Sequence, residues 1–142
     1  MLLDTDTLSE LCRGNLRVAH NARQYLAEFG RLTLSSVTVF ERLRGYRVAI
    51  QEGKPFHRQL QSFEELISNC LVLPFDEGAA AISAAIWAAV ARPQRQFGDI
   101  LIAGVAIARG LPLVTRNKRD FEPMSAAAGI ELKLLDWTKA PP

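Results

Sequence analysis

The sequence predicts a single α/β domain over residues 1–142, with a five-stranded, mainly parallel sheet flanked by helices on both faces. The first observation is composition, because 142 residues with 49% hydrophobic content can bury a core without disulfide or metal support. The second is order, because short strand-like apolar segments alternate with helical segments five times. Such alternation implies crossovers between parallel strands, which place helices on both faces of a sheet.

Helical spacing and chain breakers define the elements in the first half of the chain. Apolar residues between 18 and 29 recur at helical spacing, and Gly30 follows where that helix should end. Ser35 or Ser36 can cap the next helix, which ends before Gly53 and Pro55. In order, we predict a strand at 2–3, helices at 8–13 and 18–29, a strand at 32–35, and helices at 37–50 and 56–69.

Composition guides the interpretation of the second half. Asp76 can cap an alanine-rich helix, which Pro93 ends. The helix that Asp99 opens is apolar almost all round, which predicts burial on most sides, and Gly110 ends it. In order, we predict a buried strand at 71–75, helices from 76 to about 91 and over 99–109, a strand at 111–115, a short helical or irregular segment at 120–128, and a strand at 130–135.

Composition also excludes several classes of protein. The high apolar content is wrong for a disordered chain, and no apolar run is long enough for a membrane span. Acidic residues at positions 4 and 6 argue against an export signal. Cys12 and Cys70 lack the spacing of a metal site, so we expect free thiols in a reducing compartment. These features predict a cytoplasmic protein without a membrane partner.

The charge is nearly balanced, with 17 Lys+Arg against 15 Asp+Glu, but 13 of the basic residues are Arg. The planar guanidinium group suits phosphate. Between positions 92 and 119 there are six basic residues and one acid. This segment indicates either an attraction for a polyanion or an ordinary solvated basic face.

Acidic residues are predicted at the carboxyl ends of the strands, where open α/β sheets usually bind ligands. They are Asp4, Glu41, Asp99 and Asp120. Each has an ordinary alternative: Asp4 could start a turn, Glu41 could face solvent, and Asp99 and Asp120 could cap their helices. Those separate explanations do not predict that all four acids converge at one end of one sheet.

Carboxylates that lie close together repel one another unless they are protonated or neutralised by a cation. Oxygen ligands without nearby Cys or His favour Mg²⁺ over Zn²⁺, with Mn²⁺ as a second possibility. Such ions activate water and stabilise the charge that develops on a phosphate. The residue types therefore suit metal-assisted hydrolysis of a phosphodiester bond.

Four motifs carry a resemblance to the PIN-domain nucleases, and specifically to the VapC-type ribonuclease toxins of toxin-antitoxin pairs. They are LLDTD at 2–6, SSVTVFE at 35–41, GDILIA at 98–103 and LVTRNKRDF at 113–121. The resemblance implies a PIN-like fold and an acidic quartet of Asp4, Glu41, Asp99 and Asp120 that binds the metal and acts in catalysis. It also implies supporting or substrate-binding roles for Asp6, Thr115 and Asn117, and we place Arg116 with them.

The same resemblance implies an Mg²⁺-dependent endoribonuclease that is held inactive by a cognate antitoxin protein and forms a homodimer. Two alternatives stay open. One is a non-catalytic binding module of the same fold. The other is a receiver-like signalling domain with Asp76 as phosphoacceptor, although that scheme leaves Asp99 and Asp120 unexplained.

Overall fold

The computed structural model describes residues 1–140 and confirms a single α/β domain with a five-stranded sheet. The strands are β1 (Leu2–Leu3), β2 (Thr33–Ser35), β3 (Leu71–Leu73), β4 (Leu113–Val114) and β5 (Leu134–Leu135). The helices are α1 (Thr5–Cys12), α2 (Leu16–Phe29), α3 (Ser36–Gln51), α4 (His57–Ser68), α5 (Glu77–Ala89), α6 (Phe97–Ala108) and α7 (Lys118–Ala128), with a 3₁₀ turn at Pro93–Gln96.

The strands lie in the order β3-β2-β1-β4-β5, and every neighbouring pair is parallel. The chain first adds β2 and β3 on one side of β1, then returns to add β4 and β5 on the other. Leu3 of β1 is therefore paired with Leu34 on one side and Val114 on the other. Strand order reverses at β1, and the crevice at such a reversal is the usual ligand site of an open α/β sheet.

The central strands supply side chains to two separate apolar cores. Leu2 and Leu113 pack with residues of α5, α6 and α7, whereas Leu3 and Val114 pack with residues of α1, α2 and α4. Successive strand residues point to opposite faces, so even a two-residue strand contributes to both cores. Most of α6 is buried, as its all-round apolar pattern predicts.

Two elements differ from their predictions, the first helix in where it begins and the third strand in how far it is buried. Asp4 caps the first helix, which therefore begins at Thr5 and not at position 8 as predicted. The third strand is not buried as predicted, since β3 lies at the edge of the sheet. Its residues Leu71 and Val72 are 41% and 37% exposed.

The fifth strand is much shorter than the predicted 130–135. The Ser125 hydroxyl donates to the Ile130 carbonyl at 2.8 Å and accepts the Leu132 N–H at 2.9 Å. These backbone groups are therefore satisfied by a side chain of α7 and not by a neighbouring strand. Only Leu134 and Leu135 join the sheet.

Two further findings concern membrane-spanning helices and the cysteines. Among residues 1–140, no helix is both long and apolar enough to cross a membrane. Cys12 and Cys70 are both free, as the sequence predicts.

Candidate active site

The four predicted acids come from segments that meet where the parallel strands end. Asp4 directly follows β1, and Glu41 lies in the second turn of α3, which follows β2. Asp99 and Asp120 lie in the first turns of α6 and α7. The Glu41 carboxylate lies against Gly98, the residue before Asp99, and the negative charges of Asp4, Glu41 and Asp120 all raise the pKa of Asp99.

Asp4 is the most buried of the four acids, with 2% of its surface exposed. Its backbone is extended, and its Oδ1 accepts the Thr7 N–H at 2.7 Å, so the carboxylate caps α1 while it faces the site. Burial raises the pKa of Asp4, and hydrogen bonds from Thr115 and Thr7 partly oppose that rise. The alternative that Asp4 starts a turn holds in part, because Asp4 does begin a local element, but that element is the helix α1.

Asp99 is not a helix cap. The helix begins at Phe97, its cap position is Gln96, and no side chain caps it. Burial raises the pKa of Asp99 from 3.8 to about 7, reinforced by the negative charges of Asp4 and, more weakly, of other acids. These are Asp6, Glu41 and Asp120. The chain therefore holds a carboxylate where its ionisation is unfavourable.

Hydrogen bonds orient the remaining two carboxylates. The Thr5 hydroxyl donates to Glu41 Oε1 at 2.8 Å, so Glu41 does not simply face solvent. The Asn117 side-chain amide donates to Asp120 Oδ2. The capping alternative for Asp120 is wrong, because α7 begins two residues earlier, at Lys118, and has no side-chain cap.

The donor set fits a hard divalent ion. All four side chains offer carboxylate oxygens, the ligand type that Mg²⁺ and Mn²⁺ prefer. Ion pairs among residues 1–140 include none of the four acids. Within the same residues, no three His, Cys, Asp or Glu side chains form a ready-made cage. Mg²⁺ in proteins commonly takes one or two carboxylates and keeps several waters.

A family model described as "PIN domain" matches residues 1–126. The chain belongs to the PIN domain family. Two curated relatives are both described as "tRNA(fMet)-specific endonuclease VapC". The Shigella flexneri protein is 35% identical over 111 residues, which is 77% of each chain. The Salmonella typhimurium protein is 30% identical over 138 residues, which is 96% of each chain.

Solved structures agree with this assignment. The chain is similar to a chain in the crystal structure of DNA-bound VapBC from Salmonella typhimurium, with a TM-score of 0.71 and 27% identity. The match covers 96% of both chains. The resemblance to VapC-type PIN domains that the four motifs predict is therefore confirmed.

The other predicted site residues of this PIN domain lie around the four acids in different ways. Thr115 is buried beside Asp4, and its hydroxyl also accepts the Asn117 N–H at 2.9 Å. Asp6 is exposed and adds negative charge near Asp99. Arg116 forms an ion pair with Glu10 at 3.2 Å, so its predicted role toward substrate stays a prediction.

Three threonines were missed by the sequence prediction. The Thr5 hydroxyl donates to Glu41 and forms a second hydrogen bond with the Thr38 hydroxyl, whereas the Thr7 N–H donates to Asp4. Thr7 is the third residue after the cap Asp4, where the backbone N–H usually bonds to the cap side chain, and this spacing could have identified it. The contact of Thr5 with α3 has no signal in the sequence, because it depends on how α1 and α3 pack.

Proposed function

We propose that this chain is a metal-dependent endoribonuclease that acts in the cytoplasm as the toxin of a toxin-antitoxin pair. The observation that carries the proposal is the environment of Asp99. Its side chain is half-buried, and the negative charges of four other acids act on it. A divalent cation would remove the repulsion between these carboxylates. The names of the relatives, both tRNA endonucleases, support the same chemistry.

Asp4 and Asp99 would bind an Mg²⁺ or Mn²⁺ ion that keeps several waters, with Glu41 and Asp120 at the same site. When bound, such an ion increases the acidity of water and stabilises the charge that develops on a phosphate during hydrolysis. The chain contributes orientation: Thr7 and Thr115 hold Asp4, Thr5 holds Glu41, and Asn117 holds Asp120. Partners of this kind fix ligand side chains and so raise the affinity of a site.

A cationic groove next to Glu41 supports RNA as the substrate. The groove has a volume of about 420 Å³ and is lined by Thr5, Glu41, Arg42, Arg44 and Lys54, among others. Arg44 and Lys54 are exposed in this groove, whereas the Arg42 guanidinium donates to the hydroxyls of Ser9 and Tyr46. Arg and Lys next to an acidic centre can neutralise the phosphates that flank the bond to be cut.

The decisive experiment is cleavage of RNA by the purified chain. Because both relatives are named for tRNA(fMet), that tRNA is the first substrate to test, with other tRNAs as the comparison. We expect cleavage with Mg²⁺ or Mn²⁺, none with chelator, and none for Asp4→Asn. Cleavage that persists in excess chelator would contradict metal dependence.

The same experiment tests the alternative of a non-catalytic binding module. A folded chain that binds RNA without cutting it under any metal condition would favour that alternative. The receiver-like alternative has no support, because Asp76 caps α5 and is paired with Arg109 at 2.7 Å.

A cognate antitoxin is part of the proposal, and solved structures support it. The structural neighbour from Salmonella typhimurium was solved as VapBC bound to DNA. A cationic side chain of a partner could pair with the uncompensated carboxylates and so block the site. Co-purification with the product of an adjacent short reading frame, with loss of RNA cleavage in the complex, is the expected result.

We also propose a homodimer, supported by an exposed aromatic patch of Phe40, Trp87 and Phe97. Their exposed fractions are 59%, 36% and 57%, and the rings of Trp87 and Phe97 meet edge to face with centroids 5.9 Å apart. Apolar patches of this kind commonly mark interfaces. Light scattering should give twice the chain mass, reduced to one chain by Trp87→Glu but not by Leu16→Glu, a control at an 83% exposed leucine on α2.

A further inference from the structure

Gly98 lies in the first turn of α6, immediately before Asp99. Glycine weakens a helix relative to alanine, because it loses more backbone freedom when the helix forms. The backbone of Gly98 is not among the left-handed positions that would require glycine. Its presence in this helix therefore needs an explanation from packing.

The space beside Gly98 is occupied by the Glu41 carboxylate. A β-carbon built on Gly98 would lie 2.5 Å from Glu41 Oε2 and 2.9 Å from Glu41 Cδ. Such distances are far below ordinary van der Waals contact, so even one methyl group would displace the Glu41 side chain. The other oxygen, Oε1, is held by the Thr5 hydroxyl at 2.8 Å.

We infer that Gly98 is a positioning residue, whose missing side chain leaves the room in which the Glu41 carboxylate lies against α6 beside Asp99. The inference rests on the proposed metal site, in which Glu41 and Asp99 act together. Thr5 of α1 fixes the carboxylate from one side, and the bare backbone of α6 admits it from the other. Neither contact supplies a metal ligand, but together they determine where one oxygen ligand is placed.

Other glycines in the same helices provide matched controls. A β-carbon built on Gly45 of α3 meets no described atom within 4 Å, so Gly45→Ala changes glycine content without filling occupied space. On α6, a β-carbon on Gly104 would collide with the Ser83 hydroxyl and lie 2.7 Å from the Ala79 carbonyl of α5. Gly104 therefore serves helix packing, whereas Gly98 serves a functional side chain.

The first test measures Mn²⁺ affinity by isothermal titration calorimetry, which does not depend on activity. Gly98→Ala should bind Mn²⁺ about tenfold more weakly than the unaltered chain, whereas Gly45→Ala should stay within about twofold. Wild-type affinity in folded Gly98→Ala would overturn the inference. Absence of Mn²⁺ binding in the unaltered chain would instead contradict the proposed metal site, so the two failures can be told apart.

A rescue test asks whether the effect passes through Glu41. Aspartate is shorter than glutamate by one methylene, so Glu41→Asp vacates the space that the new methyl group needs. In the Glu41→Asp background, Gly98→Ala should weaken Mn²⁺ binding no further. An equal further loss would show that the substitution acts on the helix or on Asp99, and would overturn the inference.

A third measurement uses the metal-free chain and so does not depend on the metal site. In a Glu41→Ala background the crowding is gone, so Gly98→Ala should raise the Tm through helix propensity alone. In the unaltered background the same substitution should raise the Tm less or lower it. Equal Tm changes in both backgrounds would show no coupling between the two residues and would also overturn the inference.

Discussion

Two helices that pack against each other, α5 and α6, each carry an aspartate at the amino-terminal end. The surroundings of these two carboxylates shift their pKa values in opposite directions. Asp76 accepts the Ala79 N–H at 3.0 Å and an Arg109 guanidinium at 2.7 Å. These partners hold the pKa of Asp76 below its usual value. Asp99 is half-buried among acids, and its pKa rises to about 7.

The position on the helix does not explain this difference. The helix dipole favours a carboxylate in the first turn of either helix, by about 0.3–1 kcal/mol at an exposed position. At Asp99 burial and like charges outweigh that gain. Arg109, which follows the last turn of α6, is paired with Asp76 at the start of α5. The basic residue at one end of α6 thus neutralises the acid of α5, while the acid at the other end of α6 stays uncompensated.

The comparison teaches that uncompensated charge, and not acidity alone, separates a functional carboxylate from a structural one. A carboxylate held where its ionisation is unfavourable marks a candidate functional site. Asp76 is paired with Arg109 within the fold, whereas Asp99 has no ion-pair partner among residues 1–140.

The largest expected effect is on RNA cleavage, which should separate the two aspartates most strongly. Asp99→Asn removes a charge from the proposed metal site, so we expect cleavage to fall about 10²–10³-fold, equivalent to about 3–4 kcal/mol of transition-state stabilisation. Asp76→Asn should leave the rate nearly unchanged. Initial rates at saturating Mg²⁺ measure both, and similar losses in the two variants would remove the distinction.

The next effect is thermal stabilisation by the metal. At an Mn²⁺ concentration of 100 times its Kd, binding to the folded chain adds about 2.7 kcal/mol, which corresponds to a rise in Tm of about 5–10 °C. Asp99→Asn should abolish most of this rise, and Asp76→Asn should retain it. A shift that survives in Asp99→Asn would mean that the ion binds elsewhere.

The layered fold could be predicted from the sequence because burial leaves a local pattern. Strands of two residues were detectable because their leucines and valine serve two cores, and α6 was detectable because it is apolar almost all round. The length of the fifth strand was not, since Ser125 captures backbone groups of the preceding segment through a contact that spacing does not reveal.

The convergence of the acids could also be predicted, because parallel strands end at one edge. Which basic residue pairs with which acid could not be predicted. Arg95 is four residues from Asp99, a spacing that favours an ion pair on a helix, but Arg95 lies in the 3₁₀ turn before α6. Ion pairs among residues 1–140 do not include these two side chains, and Asp76 is paired instead with the distant Arg109. Pairing of charges depends on tertiary packing, as does the contact between Gly98 and Glu41.

A smaller effect concerns the stability of the metal-free chain as a function of pH. The pKa of Asp99 is 3.8 in the reference state and about 7 when folded, so between these values the unfolded chain has released a proton that the folded chain retains. Stability therefore falls as pH rises from about 4 to 7 and stays low above 7, by about 2 kcal/mol after allowance for solvent screening. In chelator at pH 8, Asp99→Asn should melt higher than the unaltered chain, and this advantage should shrink as pH falls toward 4. An unchanged or lower Tm at pH 8 would contradict the repulsion.

The smallest effect should come from Asp76, and it should have the opposite sign. Its pKa is lowered in the folded state, so its contribution to stability is present at neutral pH and is lost only as pH falls below the usual range of an aspartate. Asp76→Asn keeps a side chain that can cap α5 but loses the charge that pairs with Arg109, whereas Asp76→Ala loses both. We therefore expect a small fall in Tm for Asp76→Asn and a larger one for Asp76→Ala. Added salt should reduce the effect of Asp76→Asn, because this ion pair is partly exposed and open to screening. A rise in Tm for Asp76→Asn, like that expected for Asp99→Asn, would show that both aspartates are destabilising and that pairing with Arg109 does not compensate the charge.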